Sequence, residues 1–210
     1  MNIFSPEKFF DYSSLSFADI FPEYKPVWNV LSALSLYIQQ QFDSGSIKGN
    51  YKENIFIGEG TIVHKSAEII GPAIIGKNCT ISYGAYLREY CLIGDNVMIG
   101  HTVEIKNSII LNDSACAHLN YIGDSIIGSG VNIGGGAIIA NRRLDKKSVM
   151  VKTSDTKIDT QLNKMGAIIG DNSSIGANAV LNPGTVLGRN SLVYPLTSVN
   201  GYYAEGSHVK

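Results

Sequence analysis

The chain has 210 residues, is 44% hydrophobic, and sets 17 Lys and Arg against 18 Asp and Glu for a formal charge of -1. That length suits one or two domains, and the balanced charge leaves no basic field to draw the chain to nucleic acid or an anionic membrane surface. The opening MNIFSPEKFF lacks a basic stretch followed by an apolar one, so no secretory leader is expected, and no apolar run approaches the ~20 residues of a membrane-spanning helix. Three cysteines, Cys79, Cys91 and Cys116, are odd in number and fit no zinc spacing. They are expected to be buried, reduced thiols of a cytoplasmic protein, with no metal bound.

Residues 1–50 hold most of the Phe and the single Trp. Ser5-Pro6-Glu7 has the form of a helix start. Between Pro26 and Phe42, Val27, Leu31, Leu34 and Ile38 recur at helical spacing. The expectation is two helices and a polar linker over 43–50, a unit that caps the open first coil of the domain over residues 51–210 and shields its free edge from pairing with other chains.

From Ile57 onward the pattern changes. Ile57, Val63, Ile69, Ile75, Ile81, Leu87, Ile93, Ile99 and Ile105 fall on one register of six. Ile110, Cys116 and Ile122 form a second run, Ile127, Ile133 and Ile139 a third, and Ile169 to Val199 a fourth. Four residues after each aliphatic the side chain is small or compact, as at Ala67, Cys79, Ala85 and Ala179. A period of six is neither 3.6 nor 2, so neither a helix nor a flat sheet explains it. A short strand plus a tight turn uses six residues, and three such units close one coil. Each aliphatic then points inward above its equivalent 18 residues on, and stacking buries a core that no single repeat could. The fold expected is all-β, a parallel β-helix over 57–199 with a short helical segment before it. The polar stretch over 142–166 lacks the repeat and reads as a loop leaving the coil, or else as a disordered insertion.

Chemistry concentrates around His118-Leu119-Asn120-Tyr121-Ile122-Gly123-Asp124, Asn132, and Asn141 to Lys147, with Arg88, Glu104 and Lys106 upstream. Arg88 and Lys106 are 18 apart and should stack on one face. Two stacked cations suggest a phosphate site, since cations hold phosphate oxygens through charge-assisted bonds. A solvated charged face is the alternative.

Three words in this region, HLNYIGDSIIGSGVNIGGG, ANRRLD and KMGAIIGDN, make the chain resemble the hexapeptide-repeat acyltransferases. They are similar to HLxYxGDSIIGxxxNxGAG, ANxRxD and KxGAxIGDN in the acetyltransferase domains of bifunctional N-acetylglucosamine-1-phosphate uridylyltransferase/glucosamine-1-phosphate acetyltransferases and of archaeal sugar-1-phosphate nucleotidylyltransferases. The resemblance covers about residues 57–200. It implies a left-handed coil, a homotrimer with active sites between neighbouring subunits, and acetyl-CoA as co-substrate. The reaction implied is N-acetylation of glucosamine-1-phosphate or a related amino-sugar phosphate, feeding UDP-N-acetylglucosamine and cell-envelope synthesis. It also assigns roles. His118 matches the general base and Glu104 the carboxylate near it. Arg88, Lys106, Tyr121, Asn132 and Lys147 match residues around the sugar and its phosphate. Gly135, Ala177 and Pro195 match positions lining the coenzyme, with Gly135 in place of an alanine and Ala177 in place of a serine.

The chemistry suits these residue types. An amine attacks a thioester only as the free base, and an imidazole, of ordinary pKa ~6.5, can take its proton near neutrality. N–H groups of the Gly134-Gly135-Gly136 turn could hold the tetrahedral oxyanion. His64 and His101 read as outward-facing, and their spacing with His118 does not fit the three-histidine zinc site of hexapeptide carbonic anhydrases. Residues 1–50 contain no Gly-rich phosphate loop, so no nucleotidyl transfer is expected from this chain. Two other readings stay open: a trimer that binds sugar nucleotides without turnover or partners a separate nucleotidyltransferase, and acyl transfer to another acceptor such as a lipid A precursor.

Overall fold

The computed structural model describes residues 3–13, 15–21, 23, 25–52 and 54–210. Three parallel sheets, of eight, eight and seven strands, form the faces of a triangular prism. The first runs from Ile55–Ile57 to Tyr202–Tyr203, the second from Ile62–Val63 to His208–Val209, and the third from Glu68–Ile69 to Ser198–Val199. Strands consecutive in sequence lie on different faces, so the chain winds as a parallel β-helix.

Coil length follows the spacing of the aliphatics. Ile57 pairs with Ile75, 18 residues on, but Ile93 pairs with Ile110 and Ile110 with Ile127, 17 on, where the sequence steps by five. Every sixth-position side chain from Ile69 to Val199 is buried in one continuous interior cluster, with Ile57 and Val63 packed partly against its open end. The prism also runs two steps beyond the expected Val199: Tyr203 pairs with Leu187 and Val209 with Val193, each only 16 residues on. The four-residue step to Tyr203, and a tyrosine where an aliphatic is expected, hid this last coil in the sequence.

The corners impose a second requirement, a residue in the left-handed backbone region. Between the first and second sheets it is Gly, Asn or Asp throughout, from Gly60 and Asn78 through Asp113 to Asn190 and Gly206, the types that enter that region at least cost. Between the second and third sheets the same place is held by Thr102, Leu119 and Leu196 as well as Gly84, Gly136 and Asn178.

The N-terminal segment forms single 3-10 turns at Pro6–Lys8 and Ala18–Ile20 and an α-helix, α1, at Asn29–Asp43. It lies along the flank of the prism rather than over its open end. Phe9, Phe10, Trp28, Leu34 and Ile38 form one layer with Ile74, Leu92, Ile109, Ile126, Ile168 and Val186, the outward residues of successive first-sheet strands. Those strands are buried on both faces, which accounts for continuous apolar triplets such as Ala73-Ile74-Ile75 and Cys91-Leu92-Ile93. The free edge of the first coil is covered instead by the linker. The Asn50 side chain donates to the Ile57 carbonyl and accepts from the Ile57 N–H, both at 2.8 Å.

Residues 142–166 contain an antiparallel hairpin, Met150–Lys152 with Lys157–Asp159. Val149, Val151 and Met165 join the apolar layer on the first sheet. The hairpin backbone passes so close to the coil that a Cβ on Gly184 would lie 2.4 Å from the Met150 carbonyl oxygen, and one on Gly201 2.8 Å from that of Lys152. Both glycines hold positive φ, 85° and 95°, so they admit the hairpin on two counts. The first sheet is thus covered, whereas the second and third leave Ile62, Met98, Tyr86, Ile138 and Val180 exposed. Among the described residues no helix is long and apolar enough to cross a membrane.

All three cysteines are buried and free. Burial pushes the Cys91 and Cys116 thiols up to about 12. Native protein at pH 8 should therefore leave both silent to a thiol reagent, with reaction only on unfolding. Because the folded pKa is raised, the stability linked to these thiols is whole below the unfolded value of ~8.5 and is lost as pH climbs toward 12. A urea midpoint unchanged between pH 8 and pH 11 would contradict this. Trp28→Ala should cost about 3–5 kcal/mol by emptying the flank layer, measured by urea denaturation.

Candidate active site

Two stretches of surface carry the predicted site residues. The first lies where the third sheet turns toward the first. Tyr86 pairs with Glu104 and Glu104 with Tyr121 on successive coils, which brings Arg88, beyond Leu87, alongside Lys106, beyond Ile105. The stacked cations expected from the 18-residue spacing are present, but each already faces a carboxylate. Arg88 Nη1 donates to Glu104 Oε1 at 3.2 Å, and Lys106 Nζ lies 3.6 Å from Asp124 Oδ1. Glu104 beside it raises the Arg88 guanidinium pKa.

Asp124 and Asn141, to which the sequence reading gave no roles, organise this region. The largely buried Asp124 carboxylate accepts from Asn107 Nδ2 at 2.9 Å and from Asn141 Nδ2, which also donates to the Tyr121 hydroxyl at 3.1 Å. Burial, then the Asp124 and Glu104 charges, push the Tyr121 phenol up, so it stays a neutral hydroxyl. Their signal was in the motif words themselves, since GD and AN place Asp124 and Asn141 one coil apart.

The second stretch is the corner between the second and third sheets. His118 ends the strand Ala115–His118, is exposed, and pairs in register with His101 on the coil before. On later coils the chain places Gly135, Ala177 and Pro195 beneath it. Gly136 N–H donates to the His118 carbonyl, Asn178 N–H to Gly135, and Leu196 N–H to Ala177. A groove of about 390 Å³ follows, lined by Asn132, Gly134, Ser174, Gly176, Ala177, Leu192, Tyr194 and Pro195. Asn132 therefore lies in the groove, on the second sheet, apart from Arg88 and Lys106. A Cβ at Gly135 would meet His118 Cβ at 3.6 Å, ordinary contact, so the alanine of the similar motif would fit here.

Four details differ from the sequence-based expectation or refine it. No hydrogen bond links His118 to Glu104 among the described residues; Glu104 accepts from Arg88 instead. Of the three N–H groups in the glycine turn, Gly134 donates to Ile175 and Gly136 to His118, which leaves that of Gly135 as the one without a partner among the described residues. Lys147 is exposed on the insertion, its N–H donating to Asp145. His101, read as merely outward-facing, is the neighbour of His118 and approaches the Tyr83 ring at 5.3 Å. Among the described residues no group of three His, Cys, Asp or Glu could hold a metal ion.

Two known families match. The one described as GMPPB C-terminal domain covers residues 69–163, and the bacterial transferase hexapeptide (six repeats) covers residues 166–201. The match to the hexapeptide family fits a left-handed coil. A bifunctional sugar-1-phosphate nucleotidylyltransferase/acetyltransferase from Sulfurisphaera tokodaii is 34% identical over 189 residues, which is 87% of this chain and 47% of that protein. The bifunctional protein GlmU of Methanococcus vannielii is 38% identical over 170 residues, 79% of this chain and 41% of its own. That of Clostridioides difficile is 36% identical over 157 residues, 74% of this chain and 28% of its own. The chain thus spans less than half the length of these relatives.

Leu119, beside His118, holds φ at 53° with its side chain 61% exposed. A leucine in that region costs about 1–2 kcal/mol. Leu119→Gly should therefore raise the urea midpoint, by about 1 kcal/mol of stability. A lowered midpoint would show that the side chain makes contacts that outweigh the strain.

Proposed function

The chain belongs to the hexapeptide-repeat acyltransferases, and we propose that it moves the acetyl group of acetyl-CoA to the amine of glucosamine-1-phosphate or a related amino-sugar phosphate. The observation that carries this reading is the column His118–Gly135–Ala177–Pro195, which runs in hydrogen-bonded register from an exposed imidazole into a groove with small residues along its wall. A pantetheine arm laid along Ala177 and Gly135 brings its thioester to the imidazole, because neither residue has a side chain beyond a methyl to block it. The acetyltransferase relatives support the same class of reaction.

In this reading the neutral His118 imidazole removes a proton as the sugar nitrogen attacks the thioester carbonyl. The Gly135 N–H, without a partner among the described residues, would hold the oxyanion. Collapse breaks the carbon–sulfur bond, and the imidazolium returns its proton to the departing thiolate. The phosphate of the acceptor goes to Arg88 and Lys106, with Lys147 reaching from the insertion and Tyr121 holding the sugar. A partly exposed pair such as Arg88–Glu104 is worth less than ~1 kcal/mol. An arriving phosphate can therefore take over Arg88 at small cost, which frees Glu104 to orient the imidazole. The uncovered second and third sheets are the faces we assign to packing of a homotrimer, where a neighbour would roof the open groove.

Thiol release from acetyl-CoA with glucosamine-1-phosphate tests this. His118→Ala should lower kcat by ~10²–10⁴-fold with coenzyme affinity unchanged, whereas equal rates in the two proteins would remove His118 from the mechanism. Arg88→Ala should raise KM for the sugar phosphate about tenfold, since one charge-assisted contact is worth ~1.5–3 kcal/mol, and leave KM for acetyl-CoA unaltered. A matching rise for both substrates would place Arg88 elsewhere.

A further inference from the structure

A cavity of about 740 Å³ lies outside the proposed active site. It opens between the insertion hairpin and the lower coils of the prism, and none of His118, Glu104, Arg88, Lys106, Tyr121 or Asn132 lines it. Four cations do: Arg142 and Arg143 from the loop, Lys152 and Lys157 from the hairpin. Only Arg143 has a carboxylate partner, Asp145, whose pKa the guanidinium holds well below the usual carboxylate range. Among the described residues no ion pair is made by Arg142, Lys152 or Lys157. The other carboxylate on this hairpin face, Asp159, accepts from the Ser148 hydroxyl and the Gln161 N–H.

The hairpin register sharpens the point. Lys152 and Lys157 are direct cross-strand partners, so both side chains leave the same face, while Val151 and Ile158 on the opposite face turn into the apolar layer. Like charges placed directly opposite destabilise a strand pair, and here no carboxylate among the described residues forms an ion pair with either. Gly184 and Gly201 nonetheless let the hairpin dock tightly against the coil, so the pair is held facing the cavity. The remaining walls are mixed: Asn182 and Asn200 from successive coils, with Met150 and Pro183. Asn182 Nδ2 is used within the coil, which leaves its carbonyl oxygen to face a ligand.

We propose that this cavity is a second ligand site, one that takes a nucleoside diphosphate. Arg142, Lys152 and Lys157 meet the phosphates through charge-assisted bonds, and the amide and apolar walls receive ribose and base. The volume lies within the ~300–1,000 Å³ of pockets that hold ligands of that size, more than inorganic phosphate alone would use. The inference goes beyond acetyl transfer and does not depend on it. Two sources share this chemistry, a free nucleotide and the nucleotide end of coenzyme A, and the structure assigns the cavity to the first, since it shares no residue with the groove below His118.

Calorimetric titration of the full chain with ADP, UDP, inorganic phosphate and coenzyme A at low and moderate salt decides the matter. A nucleoside diphosphate should bind, more weakly as salt rises. Lys152→Gln with Lys157→Gln should weaken it at least tenfold without lowering Tm, because the change removes a like-charge pair. His118→Ala should bind it as the unaltered protein does. Arg142→Gln should also weaken it and serves as the second test if the double variant does not fold. Undiminished affinity in these variants, no heat from either nucleotide, or inorganic phosphate binding as tightly as the nucleotides would overturn the assignment. Displacement of bound nucleotide by coenzyme A but not by pantetheine would also overturn it, by making the occupant the donor itself.

Discussion

The interior of this three-sided coil admits one large aliphatic per face per turn with a small side chain beside it, and every other feature of this protein follows from satisfying that restriction. Each inward aliphatic stacks on its equivalent in the coils above and below, so the backbone register is fixed along the whole prism. Once register is fixed, residues 17 or 18 apart in sequence are neighbours in space. That is how Arg88 comes to lie beside Lys106, His101 beside His118, and Gly135, Ala177 and Pro195 in one line beneath it. A loop-built site would need each side chain to be located separately. Here a single repeat locates all of them but Lys147, which the insertion carries.

The three faces then diverge. Apolar residues outside as well as inside the first sheet commit it to a layer of α1, the preceding turns and the hairpin. The second and third sheets keep mixed outer surfaces and carry the polar clusters between them. Strain gathers at the corner those two faces share. Leu119 and Leu196 occupy the left-handed region with 61% and 80% of their surface exposed, although Gly, Asn or Asp serves throughout the corner between the first and second sheets. Such strain persists only where the surroundings over-determine it, and here it flanks His118 and Pro195, the two ends of the proposed donor track.

The inward register was legible in the sequence because burial in this fold is strictly periodic. Even the five-residue steps at Ile105 and Ile122 correspond to real 17-residue coils. The cation column was legible for the same reason. What escaped was whatever departed from the period or depended on the outer surface. The coil closing at Tyr203 and Val209 uses a four-residue step. The hairpin in the insertion has strands of three residues, too short for alternation to show. The flank position of the N-terminal segment was written in the apolar triplets of every third strand, a signal at period 18 rather than six. Side-chain pairing was not accessible at all: the family resemblance implied Glu104 as the carboxylate near His118, while the structure pairs it with Arg88.

The central claim is that the corner below His118 is the track of the acyl donor. A crystal structure of the protein with coenzyme A bound tests it most directly. The account predicts the pantetheine arm lying along Gly135, Ala177 and Pro195, with its sulfur at the His118 imidazole. Coenzyme bound along the outer face of the third sheet, or with its thiol remote from residue 118, would contradict it.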